Sequence, residues 1–274
     1  MALYFASLNS GSNGNCYYVG NDMDAVLVDV GISCRETEKR LKQLQLDVKK
    51  IKAVFVSHEH TDHIKGVSVF SNKYNLPVFI THKTAKKGPF LIGHLAKNFK
   101  ADTPVQIGSI SITAFAKQHD ADDPHSFVVS SKNVHVGVFT DIGKVCDKVS
   151  YYFKQCHAVF LESNYDDAML ENGTYPLHLK NRIRGGQGHL SNSQSLELFL
   201  NCRPAFMTHL LLSHLSKENN HPDLALSVFK PHAGNVNIAV APRHDVSELY
   251  CIAHAEEKKM HYRAKPVQMG LFPG

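Results

Sequence analysis

The sequence of 274 residues lacks several features that would each assign it to a particular class of protein. No apolar run approaches the ~20 residues of a membrane-spanning helix, so we expect no membrane span. The opening residues, MALYFASLNSGS, lack a basic segment followed by an apolar one, and we expect no signal peptide. Neither G-x-G-x-x-G nor G-x-x-x-x-G-K-S/T occurs, which disfavours a nucleotide-cofactor fold.

The cysteines are few and contain no C-x-x-C pair. The six lie at positions 16, 34, 146, 156, 202 and 251, mostly within apolar segments. This arrangement predicts reduced thiols with structural roles in a cytoplasmic protein. The formal net charge of +5 permits an anionic partner without requiring one.

Length and composition are those of an ordinary soluble globular protein. Apolar residues make up 43% of the chain and charged residues 20%. The length suits one large domain or two small ones. Because we find no linker, low-complexity tract or short repeat, we predict a single domain over residues 1–274, with a peripheral polar tail at about 251–274.

The stretch Ile51–His63, IKAVFVSHEHTDH, places metal-ligand side chains directly after an apolar segment. That segment is rich in β-branched and aromatic residues, which predicts a buried strand. Histidines two positions apart in an extended segment point the same way, so His58 and His60 can hold one ion. A helix that starts next turns Asp62 and His63 towards a second ion. Imidazole and carboxylate groups are ligands for zinc, manganese or iron.

The alternative for this stretch is a polar loop whose histidines hydrogen-bond the backbone, but four candidate ligands within six positions favour a metal site. Ligand-type residues also recur where other predicted strands end. These residues are His58, His119, Asp141, Glu162 and His214. Strand ends on one edge of a sheet can converge in space, whereas interior positions cannot.

The wider pattern predicts an α/β fold in which two packed sheets carry helices on their outer faces. Apolar patterning predicts strands at 3–8, 16–19, 25–30, 51–56, 78–81, 104–107, 110–116, 127–130, 134–139, 157–161, 205–211 and 236–240. Helices are predicted from Ser33 to about Leu44, at about 62–74, at 192–201 and from Pro222. A long polar insert follows Asn164 and reaches Gly186.

Two polar features each leave two interpretations open. The loop Asn9–Asn15, NSGSNGN, is either a hairpin loop or a backbone nest for phosphate or another anion. Asp29 lies near the end of the strand 25–30, where a carboxylate needs partners. It either supports the metal loop or caps the following turn.

The sequence HEHTDH fits the HxHxDH signature of the metallo-β-lactamase superfamily, which this chain resembles. The resemblance implies a four-layer αβ/βα sandwich with its ligands on strand-end loops. It also implies two divalent metal ions, and zinc or manganese is expected. The implied ligands of one ion are His58, His60 and His119. Those of the other are Asp62, His63 and His214, with Asp141 bridging the two.

Further motifs narrow the resemblance. LESN around Glu162 and GHLS around His189 are similar to the Glu–His pair of ribonuclease Z-like phosphodiesterases. SGSNGN, GISCRETEKRL, SHEHTDHIKG, GHLSN and HLSKENN-x-P together resemble the YycJ/WalJ group of bacterial metallohydrolases over most of residues 3–245. That group implies 5′-to-3′ exonuclease activity on DNA and links to cell-wall regulation. His125 departs from its pattern, and we interpret His125 as a polar residue near the site and not a ligand.

The resulting hypothesis is hydrolysis of a phosphodiester by a metal-bridging hydroxide. The predicted catalytic residues are Asp62, Glu162 and His189, of which His189 donates a proton to the departing 3′-oxygen. The residues that we predict to hold flanking phosphates are Ser10, Ser12, Asn13, Ser191, Asn192, Lys217 and Asn219.

Two other functions would use the same metal ligands. One is hydrolysis of a small lactone, lactam or thioester, for which Glu162 and His189 would be a structural pair. The other is a non-catalytic regulatory metalloprotein, against which the complete ligand set argues. The Glu162–His189 pair and the mild positive charge favour a phosphodiesterase, with nucleic acid, and DNA in particular, as the expected substrate.

Overall fold

Two β-sheets of seven strands each form the centre of the computed structural model, which describes residues 2–253. The first sheet contains β1 (Leu3–Asn9), β2 (Cys16–Gly20), β3 (Ala25–Val28), β4 (Ile51–Phe55), β5 (Val78–Phe79), β6 (Ala96–Lys97) and β14 (Tyr250–Ile252). The second contains β7 (Val105–Ile107), β8 (Ile110–Ala116), β9 (His125–Ser131), β10 (Val134–Phe139), β11 (Ala158–Glu162), β12 (His209–Ser213) and β13 (Asn237–Val240).

Helices follow or connect these strands. The α-helices are α1 (Cys34–Gln43), α2 (Thr61–Ile64), α3 (Val67–Tyr74), α4 (His82–Lys87), α5 (Asp147–Phe153), α6 (Asp167–Asn172), α7 (Leu177–Arg184), α8 (Asn192–Cys202) and α9 (Pro222–Phe229). Short 3₁₀-helices lie at Val48–Lys50, Gly93–Leu95 and Lys230–His232. The predicted capping box of α8 is present, since Ser191 and Gln194 each bind the other's backbone N–H.

Both sheets change from antiparallel to parallel pairing part-way across. The first has the order β14-β1-β2-β3-β4-β5-β6 and is parallel from β3 to β6. The second has the order β13-β12-β11-β10-β9-β8-β7 and is parallel from β10 to β13. Parallel strands direct their carboxyl ends to one edge of the sheet, which is where ligands bind in open α/β sheets. The loops after β4, β10, β11 and β12 are therefore placed for a shared site.

Side chains alternate along each strand and so divide the core into layers. In β2, Tyr17 packs between the two sheets, whereas Tyr18 packs with the cluster that includes Leu41 of α1. On the other side, the second sheet packs against α5, α8 and α9 through residues such as Phe153 and Phe199. The predicted four-layer αβ/βα sandwich is confirmed. The layer between the sheets contains side chains from both halves of the sequence, from Leu3 to Ile252.

Three predicted segments differ in the structure. The helix expected at 62–74 is interrupted at Gly66, where a Cβ atom would lie 2.0 Å from the carbonyl oxygen of Ile32. The strand expected at 205–211 begins only at His209, because the chain turns at Pro204 to Met207. The polar insert contains α6 and α7. These helices bury few side chains, so they lack an apolar face that the sequence would reveal.

The end of the described chain belongs to the first sheet. Residues 251 and 252, predicted as the start of the peripheral tail, pair with β1 as part of β14. The rest of the predicted tail, from 254 to 274, lies outside the described residues. Within residues 2–253, every helix is too short or too polar to cross a bilayer.

Candidate metal centre

The five ligand-type residues predicted at strand ends lie together at one edge of the sandwich. They follow or end five different strands: His58 after β4, His119 after β8, Asp141 after β10, Glu162 at the end of β11 and His214 after β12. Groups of these residues and their neighbours present ligand atoms within 4.8 Å of one another. The convergence comes from sheet topology. Asp141 and His214 are far apart in sequence, yet Oδ1 of Asp141 lies 3.4 Å from Nε2 of His214.

One group consists of His58, His60 and His119. Nδ1 of His60 lies 3.1 Å from Nε2 of His58 and 3.3 Å from Nε2 of His119. Nδ1–H of His119 donates to the carbonyl oxygen of Gly188, at 2.9 Å, so its Nε2 carries the lone pair. Burial lowers the pKa of His58, and it lowers that of His119 to about 4. Both imidazoles are therefore neutral near pH 7, which is the form that binds a metal.

The second group consists of Asp62, His63 and His214. Oδ2 of Asp62 lies 3.5 Å from Nε2 of His63 and 3.3 Å from Nε2 of His214. Burial opposes a charge on both imidazoles, yet the carboxylates around them, Asp141 first, raise the pKa of His63 and raise that of His214 to about 10. The second group is therefore strongly negative in potential, and this potential attracts divalent cations as well as protons.

Asp141 lies between the two groups. Its Oδ2 is 3.2 Å from Nε2 of His63, and its Oδ1 is 3.4 Å from Nε2 of His214 and 3.9 Å from Nε2 of His119. Oδ2 is buried and accepts no hydrogen bond from the described residues. A buried carboxylate oxygen without a donor is costly unless a cation lies against it. The orphaned oxygen and the converging ring nitrogens thus fit divalent metal ions.

Asp29 holds the metal-binding loop in place. Its Oδ1 accepts from the backbone N–H of Ser57 at 2.8 Å, and its Oδ2 accepts from Oγ of Ser57 and Nδ1–H of His63, both at 2.7 Å. Of the two interpretations left open for Asp29, support of the metal loop is the one observed. A carboxylate on the far ring nitrogen fixes the tautomer and orientation of a metal-binding imidazole.

Three residues at this edge have left-handed backbone conformations. These are Asp29, Asp141 and His214, with φ of 60°, 55° and 55°. Such conformations are uncommon for residues other than glycine and cost about 1–3 kcal/mol each. The surrounding hydrogen bonds must compensate for this cost, and strained positions of this kind cluster at functional sites.

Glu162 and His189 form a hydrogen-bonded pair beside the second group. Nδ1–H of His189 donates to Oε1 of Glu162 at 2.8 Å, while Oε2 accepts from the backbone N–H groups of Ile142, at 2.7 Å, and Leu190, at 3.1 Å. Burial would raise the pKa of Glu162, but the neighbouring rings of His189 and His214 lower it to about 2. Glu162 is thus a buried carboxylate, and His189 is partly exposed with Nε2 left for another partner.

An open cleft of about 460 Å³ gives access to this edge. It is lined by Ser12, Glu59, His60, Thr61, Asp62, Asp141, Arg182, His189 and His214. Arg182 was not predicted from the sequence. It lies in the polar insert on α7, and its Nε–H donates to Oδ2 of Asp120 at 2.5 Å. No local motif marks Arg182, because its place in the cleft depends on how the insert folds back.

The residues predicted to hold phosphates fall into different environments. Ser10, Ser191 and Asn192 are buried and committed to internal hydrogen bonds: Oγ of Ser10 accepts from the N–H of His214, Ser191 caps α8, and Asn192 bonds Ser163 and Asn220. We therefore revise these three from phosphate contacts to residues that hold the loops.

The other four predicted phosphate-binding residues differ in their exposure and in their distance from the cleft. Ser12 lines the cleft and Asn13 is exposed beside it. Lys217 is exposed and lies 3.6 Å from Glu218, outside the lining of the cleft. Asn219 is buried, and its Nδ2 has no hydrogen-bond partner among the described residues. Of this set, Ser12 is the residue that contacts the open space next to the ligands.

His125 lies close to the metal loop without facing the ligands. Its backbone N–H donates to the carbonyl oxygen of Ser57, and its Nδ1–H donates to that of Asp123 at 2.9 Å. Its ring packs edge-on against Phe99, with centroids 5.1 Å apart. It joins none of the ligand groups among the described residues.

Comparison with known proteins agrees with this fold. The sequence profile of the metallo-β-lactamase superfamily matches residues 10–160. Exodeoxyribonuclease YycJ of Bacillus anthracis is 36% identical over 229 residues, which cover 82% of this chain and 87% of that protein. Exodeoxyribonuclease WalJ of Streptococcus pneumoniae is 30% identical over 227 residues, which cover 81% of this chain and 84% of that protein.

Solved structures show the same architecture at low sequence identity. The metallo-β-lactamase fold protein YhfI of Bacillus subtilis superposes with a TM-score of 0.67 at 16% identity, and the match covers 90% of this chain and 99% of that one. The short form of human tRNase Z gives a TM-score of 0.61 at 14% identity, with the same coverage. From the profile match and the identity to YycJ and WalJ, the chain belongs to the metallo-β-lactamase superfamily, in the group that contains these two proteins.

Proposed function

We propose that the chain is a dinuclear metal-dependent phosphodiesterase that degrades DNA from the 5′ end in the cytoplasm. The ligand groups alone do not select this reaction, because the same ligands serve hydrolases of lactams, lactones and thioesters. The observation that carries the proposal is the hydrogen bond between Glu162 and His189 at the edge of the cleft, because a histidine held there is suited to donate a proton to a leaving group. The exodeoxyribonuclease names of YycJ and WalJ support DNA as the substrate.

The proposed ligands form two sets that share one residue. His58, His60 and His119 would hold one ion. Asp62, His63 and His214 would hold the other, and Asp141 would contact both. Zinc or manganese suits this mixture of imidazole and carboxylate. When bound, such ions supply an activated water and neutralise charge on the phosphate oxygens.

His189 has the proton that the leaving group needs. Its Nδ1–H is committed to the carboxylate of Glu162, so Nε2–H of the protonated ring is the donor available to substrate. In the proposed reaction the bond from phosphorus to the 3′-oxygen breaks, and Nε2–H gives its proton to that oxygen. The carboxylate of Glu162 accepts from Nδ1–H and so fixes the orientation of the ring at the edge of the cleft. General acid catalysis of this kind contributes about 10²–10⁴-fold in rate.

Cleavage of end-labelled nucleic acids tests this proposal. The substrates are single- and double-stranded DNA and the matching RNA, each with a 5′-phosphate and a 3′ label, in the presence of Mn²⁺. The matched control is Asp62→Asn, which keeps the shape of the side chain and removes its charge. We expect progressive shortening of DNA from the 5′ end by the wild-type chain and loss of turnover in the variant.

Other outcomes have distinct meanings. Cleavage from the 3′ end would reject the proposed polarity, and a preference for RNA would reject the proposed substrate. If metal content is confirmed and no nucleic acid is cleaved, the phosphodiesterase proposal fails and hydrolysis of a small ester or lactam becomes the better hypothesis. Full activity in Asp62→Asn would show that Asp62 is not a required ligand.

A further inference from the structure

Arg243 lies beside the glycine-rich loop at the mouth of the cleft. It follows β13, and the sequence around it carries no recognisable motif. Its Nη1 donates to Oδ1 of Asn13 at 3.0 Å and to Oγ of Ser12 at 3.3 Å, and its Nη2 donates to the carbonyl oxygen of Leu215. Asn13 in turn donates from Nδ2 to the carbonyl oxygen of Arg243 at 2.9 Å. The guanidinium is therefore held in one position by neutral acceptors.

Within the part of the chain that the structure describes, the charge of Arg243 has no carboxylate partner. Among residues 2–253, no Asp or Glu oxygen lies within 4.0 Å of its guanidinium, whereas Arg182 is paired with Asp120 at 2.5 Å. A guanidinium has five N–H groups, and no described residue accepts from Nε–H of Arg243. A partly exposed arginine that is ordered, unpaired and left with a donor is suited to bind an anion.

Glycine at position 11 allows this arrangement. Gly11 has φ of +126°, and a Cβ atom there would lie 3.0 Å from both Cζ and Nη2 of Arg243. The backbone of the loop therefore lies directly against the guanidinium. The loop Asn9–Asn15 is the hairpin loop between β1 and β2, which confirms one of its two interpretations. The contact with Arg243 makes the same loop a candidate site for an anion, with the arginine supplying the charge.

Arg243 is also close to the second ligand group. Ser12, to which it donates, lines the cleft together with Asp62 and His214, and Leu215 directly follows His214. Burial lowers the pKa of Arg243, while Tyr175, Asp62 and Glu218 act in the opposite direction. An arginine remains protonated under such conditions. Its position is thus next to the place where a scissile phosphate would lie.

We propose that Arg243, with Ser12 and Asn13, binds a phosphate group of the nucleic acid that is adjacent to the scissile one; this inference rests on the proposed function. The ligand is a phosphate that is either a 5′-terminal monoester or the neighbouring backbone diester. The competing explanation is structural, in which Arg243 only ties the glycine-rich loop to the loop after His214.

The test compares Arg243→Ala and Arg243→Lys with Arg203→Ala. Arg203 is a matched control, because its Nη1 also donates to backbone carbonyl oxygens, those of His232 and Ala233, on residues that do not line the cleft. We measure KM and kcat on DNA with a 5′-phosphate or a 5′-hydroxyl, together with metal content and thermal stability. We expect Arg243→Ala to raise KM about 10- to 100-fold, with a smaller change in kcat. Arg243→Lys retains the positive charge but not the paired N–H groups of the guanidinium, so we expect its KM to lie between those of wild type and Arg243→Ala.

Comparison of DNA with a 5′-phosphate and DNA with a 5′-hydroxyl identifies which phosphate Arg243 binds. If the ligand is the terminal monoester, the rise in KM is confined to DNA with a 5′-phosphate. If it is the backbone diester, the rise is equal for both ends. The proposal is overturned if KM on both substrates stays at the wild-type value while thermal stability falls as it does in Arg203→Ala.

A binding measurement separates this proposal from the nuclease activity. DNA binding is followed by fluorescence anisotropy as a function of salt in the Asp62→Asn background, where no cleavage is needed. Loss of one phosphate contact lowers the salt slope for single-stranded DNA by about 0.7. If the wild-type chain binds DNA but does not cleave it, the proposed nuclease activity is rejected. The change in salt slope on substitution of Arg243 then tests the phosphate site independently. An unchanged slope, or no DNA binding at all, would overturn the phosphate site.

Discussion

Substitution of Glu162 by Gln isolates the electrostatic role of the residue that we place behind the proton donor. Glu162 is fully buried, and all of its hydrogen-bond partners are donors. Glutamine keeps the volume but replaces one oxygen with an NH₂ group. In either orientation, that NH₂ group faces at least one N–H that previously had an acceptor.

The two orientations have different costs. If the NH₂ group faces the N–H groups of Ile142 and Leu190, two buried donors lose their acceptor, at about 1–3 kcal/mol each. If it faces His189 instead, the ring is disfavoured in its protonated form, because Nδ1–H then points at another donor. The histidine can change tautomer whereas the backbone cannot, so we expect the second orientation.

The loss of rate follows from the bond that disappears. A hydrogen bond between a charged imidazole and a carboxylate contributes about 1.5–3 kcal/mol. At 1.36 kcal/mol for each factor of ten, the expected fall in kcat on DNA is about 10- to 150-fold. The fall must be smaller on bis(p-nitrophenyl) phosphate, because p-nitrophenolate departs without needing a proton.

The assay is therefore a ratio of the two substrates for wild type, Glu162→Gln and His189→Ala, with metal content measured in each. We expect the DNA rate to fall at least ten times more than the p-nitrophenyl rate in both variants, with metals retained. Equal losses on the two substrates would refute the acid role of His189. Loss of metal from His189→Ala would instead make His189 a ligand.

Three further predictions concern metal binding. Asp29→Asn removes the carboxylate that accepts from His63, and asparagine tolerates the positive φ of this position. We expect metal affinity, measured by competition with a chelator, to fall about 10- to 100-fold. Unchanged affinity would contradict this role of Asp29. Chelation should lower the Tm, since a ligand at 1,000 times its Kd stabilises the fold by about 4.1 kcal/mol, and a Tm indifferent to chelator contradicts a bound metal. Because the pKa values of His63 and His214 are raised, a metal ion must displace their protons near pH 7, and metal affinity should rise with pH. Calorimetry of metal binding in two buffers should detect the release of about two protons. Release of no protons would contradict those pKa shifts.

The clustering of the proposed ligands was predictable from the sequence because its signals are local. His58 and His60 belong to one short motif, and alternation along an extended chain predicts their common direction. His119, Asp141 and His214 are distant in sequence, yet each follows an apolar segment in the same way. The resemblance to a known superfamily then supplied their order. The layers followed from the same alternation, which also places Tyr17 between the sheets and Tyr18 under the helices.

Other features depend on contacts that the sequence does not contain. The helix is interrupted at Gly66, where the carbonyl oxygen of Ile32 approaches the backbone, and the sequence around Gly66 does not predict that contact. A serine in a polar motif can face solvent or a buried partner, and Ser10 was predicted to face substrate but binds the N–H of His214. Arg182 reaches the cleft only through the fold of the insert, and Arg243 reaches Ser12 in the lining of the cleft only through the loop after β13.

One oxygen of Glu162 connects the two halves of the proposed chemistry. Oε1 lies 2.8 Å from Nδ1 of His189 and 3.3 Å from Nδ1 of His214. The proton donor and a proposed metal ligand therefore share one buried acceptor, so a change at either ring alters the field at the other. Metal at Nε2 of His214 would displace the proton of that nitrogen and leave Nδ1–H facing Oε1, so the charge that Oε1 meets there would change from that of an imidazolium to that of a metal-bound imidazole. The geometry thus predicts that filling the second metal site and preparing the general acid are energetically coupled, and that His189→Ala alters proton release at that site even if His189 binds no metal.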